Sequence, residues 1–140
     1  MLEESGRLKK YADGEVIFSQ GDKGNELYII RSGKVRIART MEGKENLLAH
    51  LNPGEFFGEM ALFTEEPRWA SAQAVGESEI QVVTRDDLKR IIREPVVWTM
   101  LEKMSQRLRQ IDDRVEDLMV KDQVRKEHLS TLSVRNQWTS

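Results

Sequence analysis

From Leu8 to Thr84 the apolar residues come in short clusters, and glycines and prolines interrupt them at regular intervals. Helical stripes would repeat every three or four residues, so this spacing predicts strands. The clusters give strands over Leu8 to Tyr11, Val16 to Ser19, Glu26 to Arg31, Lys34 to Thr40, Asn46 to Leu51, Phe56 to Phe57, Trp69 to Val75 and Glu79 to Thr84. Turn residues separate them at Ala12-Asp13-Gly14, Gly21 to Asn25, Ser32-Gly33, Glu42-Gly43-Lys44, Asn52-Pro53-Gly54 and Gly76-Glu77. About eight short strands so arranged suit a sandwich or barrel. Alternation is clearest in Lys34-Val35-Arg36-Ile37-Ala38-Arg39, which puts Val35, Ile37 and the cation Arg39 on one face, read as core, and turns Lys34 and Arg36 outward. Ile29 and Ile30 break strict alternation, so that strand is either buried on both sides or bulged.

The pattern changes after Thr84. Thr84 is an N-cap type, and Asp86 and Asp87 put acids in the first turn, so a helix is expected from Arg85. Pro95 disfavours helical dihedrals at Glu94 but suits the first position of a new helix. In that second helix Leu101, Met104, Leu108, Ile111, Val115 and Leu118 alternate spacings of three and four. Six successive a and d positions form a coiled-coil seam, which predicts a homodimer and leaves Glu102, Arg107, Arg109, Asp112, Arg114 and Glu116 outside. A helix folded back on its own β-domain needs an apolar stripe too, but this stripe outruns the β-region. Asp122 and Arg125 interrupt the seam. The expected organisation is a β-domain with a short helix over residues 1–94, a dimerisation helix over 95–128 and a disordered tail over 129–140.

Chemistry concentrates between Gly54 and Ala72. Gly58 permits a turn closed to residues with a Cβ, and Glu59, Met60, Ala61 and Leu62 suit one helical turn whose first amides lack intrahelical partners. Arg68 follows Pro67. A carboxylate accepts from sugar hydroxyls and a planar guanidinium matches phosphate oxygens, so Glu59 and Arg68 together fit a ribose phosphate. Gly58-Glu59-Met60-Ala61-Leu62 with Pro67-Arg68-x-Ala70-Ser71 resembles the phosphate-binding cassette of the cyclic nucleotide-binding domain family. Gly14 to Asp22 and Leu27 to Val35 resemble that family's first strands and turns, in the same order.

The resemblance implies an eight-stranded antiparallel β-roll, a double-stranded β-helix or jelly roll, followed by a long C-terminal helix. It implies that Glu59 and the Gly58 amide hold the ribose 2′-hydroxyl of cAMP or cGMP. Arg68 and the amides near Met60 and Ala61 would hold the cyclic phosphate, with Ser71 assisting. It further implies contacts to the base from the long helix, for which Arg107, Gln110 and Arg114 are the candidates. One position departs: after the cassette arginine the family often has a small residue, and here stands Trp69. Its indole can stack on a purine, plug the pocket mouth or pack on the strand's other face. The absence of a Ser or Thr hydroxyl there favours cAMP over cGMP.

Composition narrows the alternatives. The chain has 140 residues, 24 acidic against 22 basic, a net charge of −2 and no cysteine. The charge balance supplies no global field toward nucleic acid or anionic membrane. Without cysteine there are no disulfides, thiolate nucleophiles or cysteine zinc sites, which fits a cytoplasmic protein. No run reaches the ~18 apolar residues of a spanning helix. No nucleophile and base stand at a recognisable spacing, so the reading is not an enzyme. His50 and His128 lie far apart, and no metal site is expected. The regulators this chain resembles continue into a DNA-binding module, whereas only roughly 20 residues follow this seam. Direct DNA contact is therefore not expected of this chain, and a downstream protein partner is. Two functional readings follow: a dimeric cyclic nucleotide sensor, or a ligand-independent dimeric interaction module whose pocket Trp69 fills.

Overall fold

The computed structural model describes residues 6–139, with side chains described through residue 122. Among these, six strands and three helices follow one another. The strands are β1 (Arg7–Tyr11), β2 (Val16–Phe18), β3 (Glu26–Met41), β4 (Lys44–Leu51), β5 (Phe56–Phe57) and β6 (Ser71–Thr84). The helices are α1 (Glu59–Thr64), inserted between β5 and β6, then α2 (Arg85–Ile91) and α3 (Pro95–Thr139). All strand pairs are antiparallel in the order β1-β6-β3-β4, with β2 also on β6 and β5 also on β3. This is a β-roll followed by a long helix, as the sequence implied.

The count of eight strands is corrected to six, because two expected turns are bulges inside continuous strands. Ser32-Gly33 does not reverse the chain, and neither does Gly76-Glu77. Ser32 pairs with Glu79 and Lys34 with Val75, so Gly76, Glu77 and Ser78 stand opposite Gly33 alone. Gly33 has φ 87°, and a Cβ there would lie 2.2 Å from Ser78 Oγ. The buried Ser78 hydroxyl accepts from Lys34 N at 3.3 Å and so fills the interrupted ladder. Turn residues and bulge residues are the same types, which is why the pattern along the chain could not separate them.

Both faces of the sheet are covered. Tyr28, Ile30, Val35, Ala72, Ala74, Ile80 and Val82 form one core with Tyr11 and Phe57. Leu27 and Val83 face the other way and join Leu62, Leu88 and Trp98, with Ile29 packed against them. The adjacent Ile29 and Ile30 therefore reflect burial on both sides, one isoleucine to each cluster.

Helix α2 starts where expected. Thr84 Oγ1 accepts from Asp87 N, and Asp87 Oδ2 accepts from Thr84 N, both at 3.1 Å. Pro95 opens α3. On α3, Leu101 is half-buried, while Met104, Leu108, Ile111, Val115 and Leu118 are exposed. Four residues assigned to the outside, Glu102, Arg109, Asp112 and Glu116, are half-buried instead. Glu102 lies 3.9 Å from Arg85, and Arg109 Nε lies 3.8 Å from Asp113 one turn on. The expected tail over residues 129–140 falls outside the described side chains. Among the described residues no helix is long and apolar enough to cross a membrane.

The Thr84 amide, and next the Thr84 hydroxyl, hold the Asp87 carboxyl below its ordinary range. A depressed folded pKa means stability present above about pH 4 and lost as pH falls through the folded value. Asp87→Ala is therefore expected to cost about 1 kcal/mol at pH 7. In urea titrations the gap from the parent protein should narrow as pH is lowered from 7 to 3.

Candidate functional site

Arg68 lies in the connection between α1 and β6, three residues before the strand, where Pro67 presets the backbone. Its amide donates to Asp22 O at 2.8 Å, and its carbonyl accepts from Gly21 N at 2.8 Å, so the turn at 21–22 fixes the main chain from both ends. The side chain runs inward and is only 4% exposed. Nη1 donates to Gly58 O at 2.9 Å and Nη2 to Glu26 O at 3.0 Å. Nε is buried with no hydrogen-bond partner. The guanidinium carbon stands 4.3 Å from the Phe18 ring centroid and 5.5 Å from that of Tyr28.

The electrostatics follow from this burial. Desolvation lowers the Arg68 pKa from its ordinary value, and the neighbouring Tyr28 and Glu26 oppose that shift. An arginine still stays cationic. Tyr28 is pushed up to about 12, first by burial and then by Glu26, whose Oε2 accepts from its hydroxyl at 3.2 Å. The two hydrogen bonds from Arg68 go to carbonyl dipoles, and the buried Nε–H has no acceptor. That is an arrangement for an additional acceptor, and an anion is the acceptor that suits a guanidinium best.

Two glycines make room for it. Gly58 has φ 83° and ψ 4°, and a Cβ there would lie 2.8 Å from Arg68 Nη1 and 3.1 Å from Glu26 O. Gly24 has no positive φ to explain it. A Cβ at Gly24 would meet Arg68 Nη2 at 2.5 Å and Nε at 2.6 Å, so the guanidinium alone excludes a side chain there.

Beside Arg68 opens a cavity of about 290 Å³. Gly58, Glu59, Met60, Ala61, Arg68 and Trp69 line it, together with Phe18, Ile37, Ala49, Leu51, Phe56, Phe57 and Ala70. Six of the seven residues selected from the sequence thus meet in one wall. Ser71 does not join them: its Oγ accepts from Gln20 N at 2.8 Å. Helix α1 begins here with Gly58 as its cap, and no side chain caps its first amides. The volume lies near the lower end of the ~300–1,000 Å³ of small-molecule pockets. A mostly apolar wall, one carboxylate and one buried cation can hold a small ligand with a flat apolar part, hydroxyls and a compact anion.

Trp69 is half-buried in this wall. Arg39 of β3 donates to Trp69 O through Nη1 and places its guanidinium carbon 4.4 Å from the indole ring. The sequence reading missed Arg39, Gly24, Glu26 and Phe18. Gly24 was visible only as a turn residue, and Arg39 only as an odd cation on an otherwise apolar strand face. Arg107, Gln110 and Arg114, the candidates for base contacts, are exposed on α3. Among the described residues no group of three or more His, Cys, Asp or Glu could hold a metal ion.

An antiparallel β-roll with a short helix between β5 and β6 and a buried arginine beneath it defines a class of small-anion-binding regulatory domains. The model of the cyclic nucleotide-binding domain matches residues 8–94, and the chain belongs to that family. It is 46% identical over 105 residues to the cyclic AMP receptor protein of Thermus thermophilus, a match covering 73% of this chain and 49% of that protein. The chain thus spans about half the length of that relative. In solved structures it resembles the catabolite activator protein of Thermus thermophilus (TM-score 0.65, 41% identity), covering 80% of this chain and 54% of that one. It also resembles the cAMP-bound form of the EAL enzyme Bd1971 (TM-score 0.66, 32% identity), covering 79% of this chain and 30% of that one.

If the guanidinium alone forbids a side chain at 24, the two positions must be coupled. Gly24→Ala is expected to destabilise the parent by about 1–3 kcal/mol through overpacking. In an Arg68→Ala background the same change should cost almost nothing. Urea unfolding of the four proteins in this cycle measures the coupling.

Proposed function

We propose that this chain is a sensor domain that binds a cyclic nucleotide, cAMP in preference to cGMP, and acts as a dimer through α3. The observation that carries the reading is Arg68: a buried cation beside a small cavity, with its Nε–H unpartnered and Nη1 and Nη2 each on a neutral carbonyl. The cyclic phosphate completes its coordination together with the backbone amides near Met60 and Ala61 at the start of α1. Glu59 and the Gly58 amide take the ribose 2′-hydroxyl, since a carboxylate is an acceptor only. The names of the bacterial receptor and of the cAMP-bound neighbour support this choice of ligand. Preference for adenine rests on Trp69, whose indole offers a donor and no acceptor for the guanine amino group. Ser71, turned to Gln20, holds the β2–β6 edge and acts on the ligand only through the position of Arg68.

Dimerisation is supported by the exposed apolar positions Met104, Leu108, Ile111, Val115 and Leu118, continuing from Leu101. A second copy of α3 covers that seam in the way heptads require. Output is then a population shift, in which nucleotide moves α3 only by its differential affinity for the two arrangements.

Arg68→Ala is expected to lower affinity for cAMP at least about 100-fold by calorimetry, because the phosphate loses the buried cationic partner in the cavity wall. Normal binding by that variant would place the site elsewhere. Absence of binding by the parent at millimolar nucleotide would favour the ligand-independent dimer, in which Trp69 fills the cavity. For the seam, Leu108→Asp with Val115→Asp should convert the protein to monomer at tens of micromolar in sedimentation. Equal masses of parent and variant would refute it.

A further inference from the structure

We infer that Trp69, held in place by Arg39, is the surface on which the base of the bound nucleotide packs, so that the site separates purine from pyrimidine rings. This rests on the cyclic nucleotide reading above and adds to it which part of the ligand meets which wall. Arg68 and Trp69 are consecutive and line one cavity, so the anion site and an aromatic face are joined by a single rigid peptide unit. A ligand bound by its phosphate at Arg68 has the indole within reach.

Trp69 is also restrained as a recognition surface has to be. One guanidinium grips it twice, by the bond from Arg39 Nη1 to Trp69 O and by the 4.4 Å approach to the ring. Arg39 in turn lies on β3, in register with Asn46 of β4. Its neighbour Ala38 pairs with Ser71, so the segment carrying Trp69 is tied to the sheet two residues on. Fixing the indole beforehand removes rotamer entropy that binding would otherwise cost.

The other rings of the wall are differently engaged. Phe57 stacks on Tyr28 at 5.1 Å, and Phe18 contacts both and lies against Arg68. Phe56 is 58% exposed. Ile37, Ala49 and Leu51 offer apolar area without directional groups. Stacking on an indole accepts any base, but the bicyclic ring of a purine covers more of it than a pyrimidine does. Adenine and guanine are then separated only by the weaker hydrogen-bonding difference noted above.

The test is calorimetric titration of the parent, Trp69→Leu, Arg39→Met and Phe56→Ala with the 3′,5′-cyclic monophosphates of adenosine, guanosine, cytidine and uridine. Melting curves check that each variant is folded. The parent should bind the two purine nucleotides about tenfold more tightly than the two pyrimidine ones. Trp69→Leu should lose that preference, mainly by weakening the purines, while Arg39→Met keeps a reduced preference. Retention of the purine preference in Trp69→Leu overturns the inference, as does its loss in Phe56→Ala alone. Tighter binding of all four nucleotides by Trp69→Leu would show the indole to be a plug and overturn it as well. A parent that binds none of the four refutes the nucleotide reading itself. A parent that binds all four and loses them with Arg68→Ala, yet shows no purine preference, refutes only the role of Trp69.

Discussion

The structure depends on keeping one cation out of water. Moving a charge into a protein interior costs several kcal/mol even after relaxation. Arg68 offsets part of this with bonds to Gly58 O and Glu26 O and with the faces of Phe18 and Tyr28. Those contacts dictate much of their surroundings. They require two carbonyls aimed inward from segments far apart in sequence and two rings stacked into one core. They also require glycine at 24 and 58, where a methyl would strike the guanidinium. The remaining N–H is the part of the problem that the protein does not solve alone. In the proposed function an anion in the adjoining cavity takes that N–H, and a demand of folding would thereby become a capacity for binding.

The sheet supplies the fixed frame. Because β3 and β6 run on through their bulges, the first core draws residues from both sides of the bulge, while the Leu27 and Val83 end carries the second cluster on its opposite face. A turn at Gly33 would have split these into separate hairpins. Instead Ser78 bridges the gap, and Arg31 donates to Gln81 from the neighbouring stretch at 2.9 Å. Cavity and helices are thereby attached to the same two strands.

What could be read in advance was what is local. The grouping of Gly58 to Arg68 was legible because these residues lie within one turn and the approach to one strand, and Thr84 with Asp87 because a cap is a matter of three residues. Strand number was not, since glycine serves bulge and turn alike. The partners of Arg68 were hidden for a different reason: Glu26 O lies 42 positions away, and a carbonyl leaves no mark on residue type. Gly24 and Arg39 owe their importance to a contact across the fold. The resemblance gave Ser71 a part in holding the ligand, and its oxygen accepts from the backbone of Gln20. Glu102 and Arg109 looked like solvent positions by heptad phase, and each is drawn aside by an opposite charge.

Helix α1 joins these themes. Six residues cannot hold a helix by their own hydrogen bonds, so its position is set by what it touches. On one side Met60 and Ala61 line the cavity. On the other, Leu62 is fully buried in the second cluster with Leu88 and Trp98, and Phe63 meets Trp98 edge to face at 5.3 Å. Its C-terminal end is held by Arg85, which donates to Leu62 O at 3.0 Å, lies 2.9 Å from Glu65 and stands 5.3 Å above the Trp98 ring. The same guanidinium approaches Glu102 of α3 at 3.9 Å. The residues that border the cavity and those that anchor the start of α3 are therefore successive members of one short helix. Packed clusters rearrange between discrete arrangements more readily than they stretch. A displacement of α1 by a ligand at Arg68 must accordingly be taken up at Trp98 and Arg85, where α3 begins.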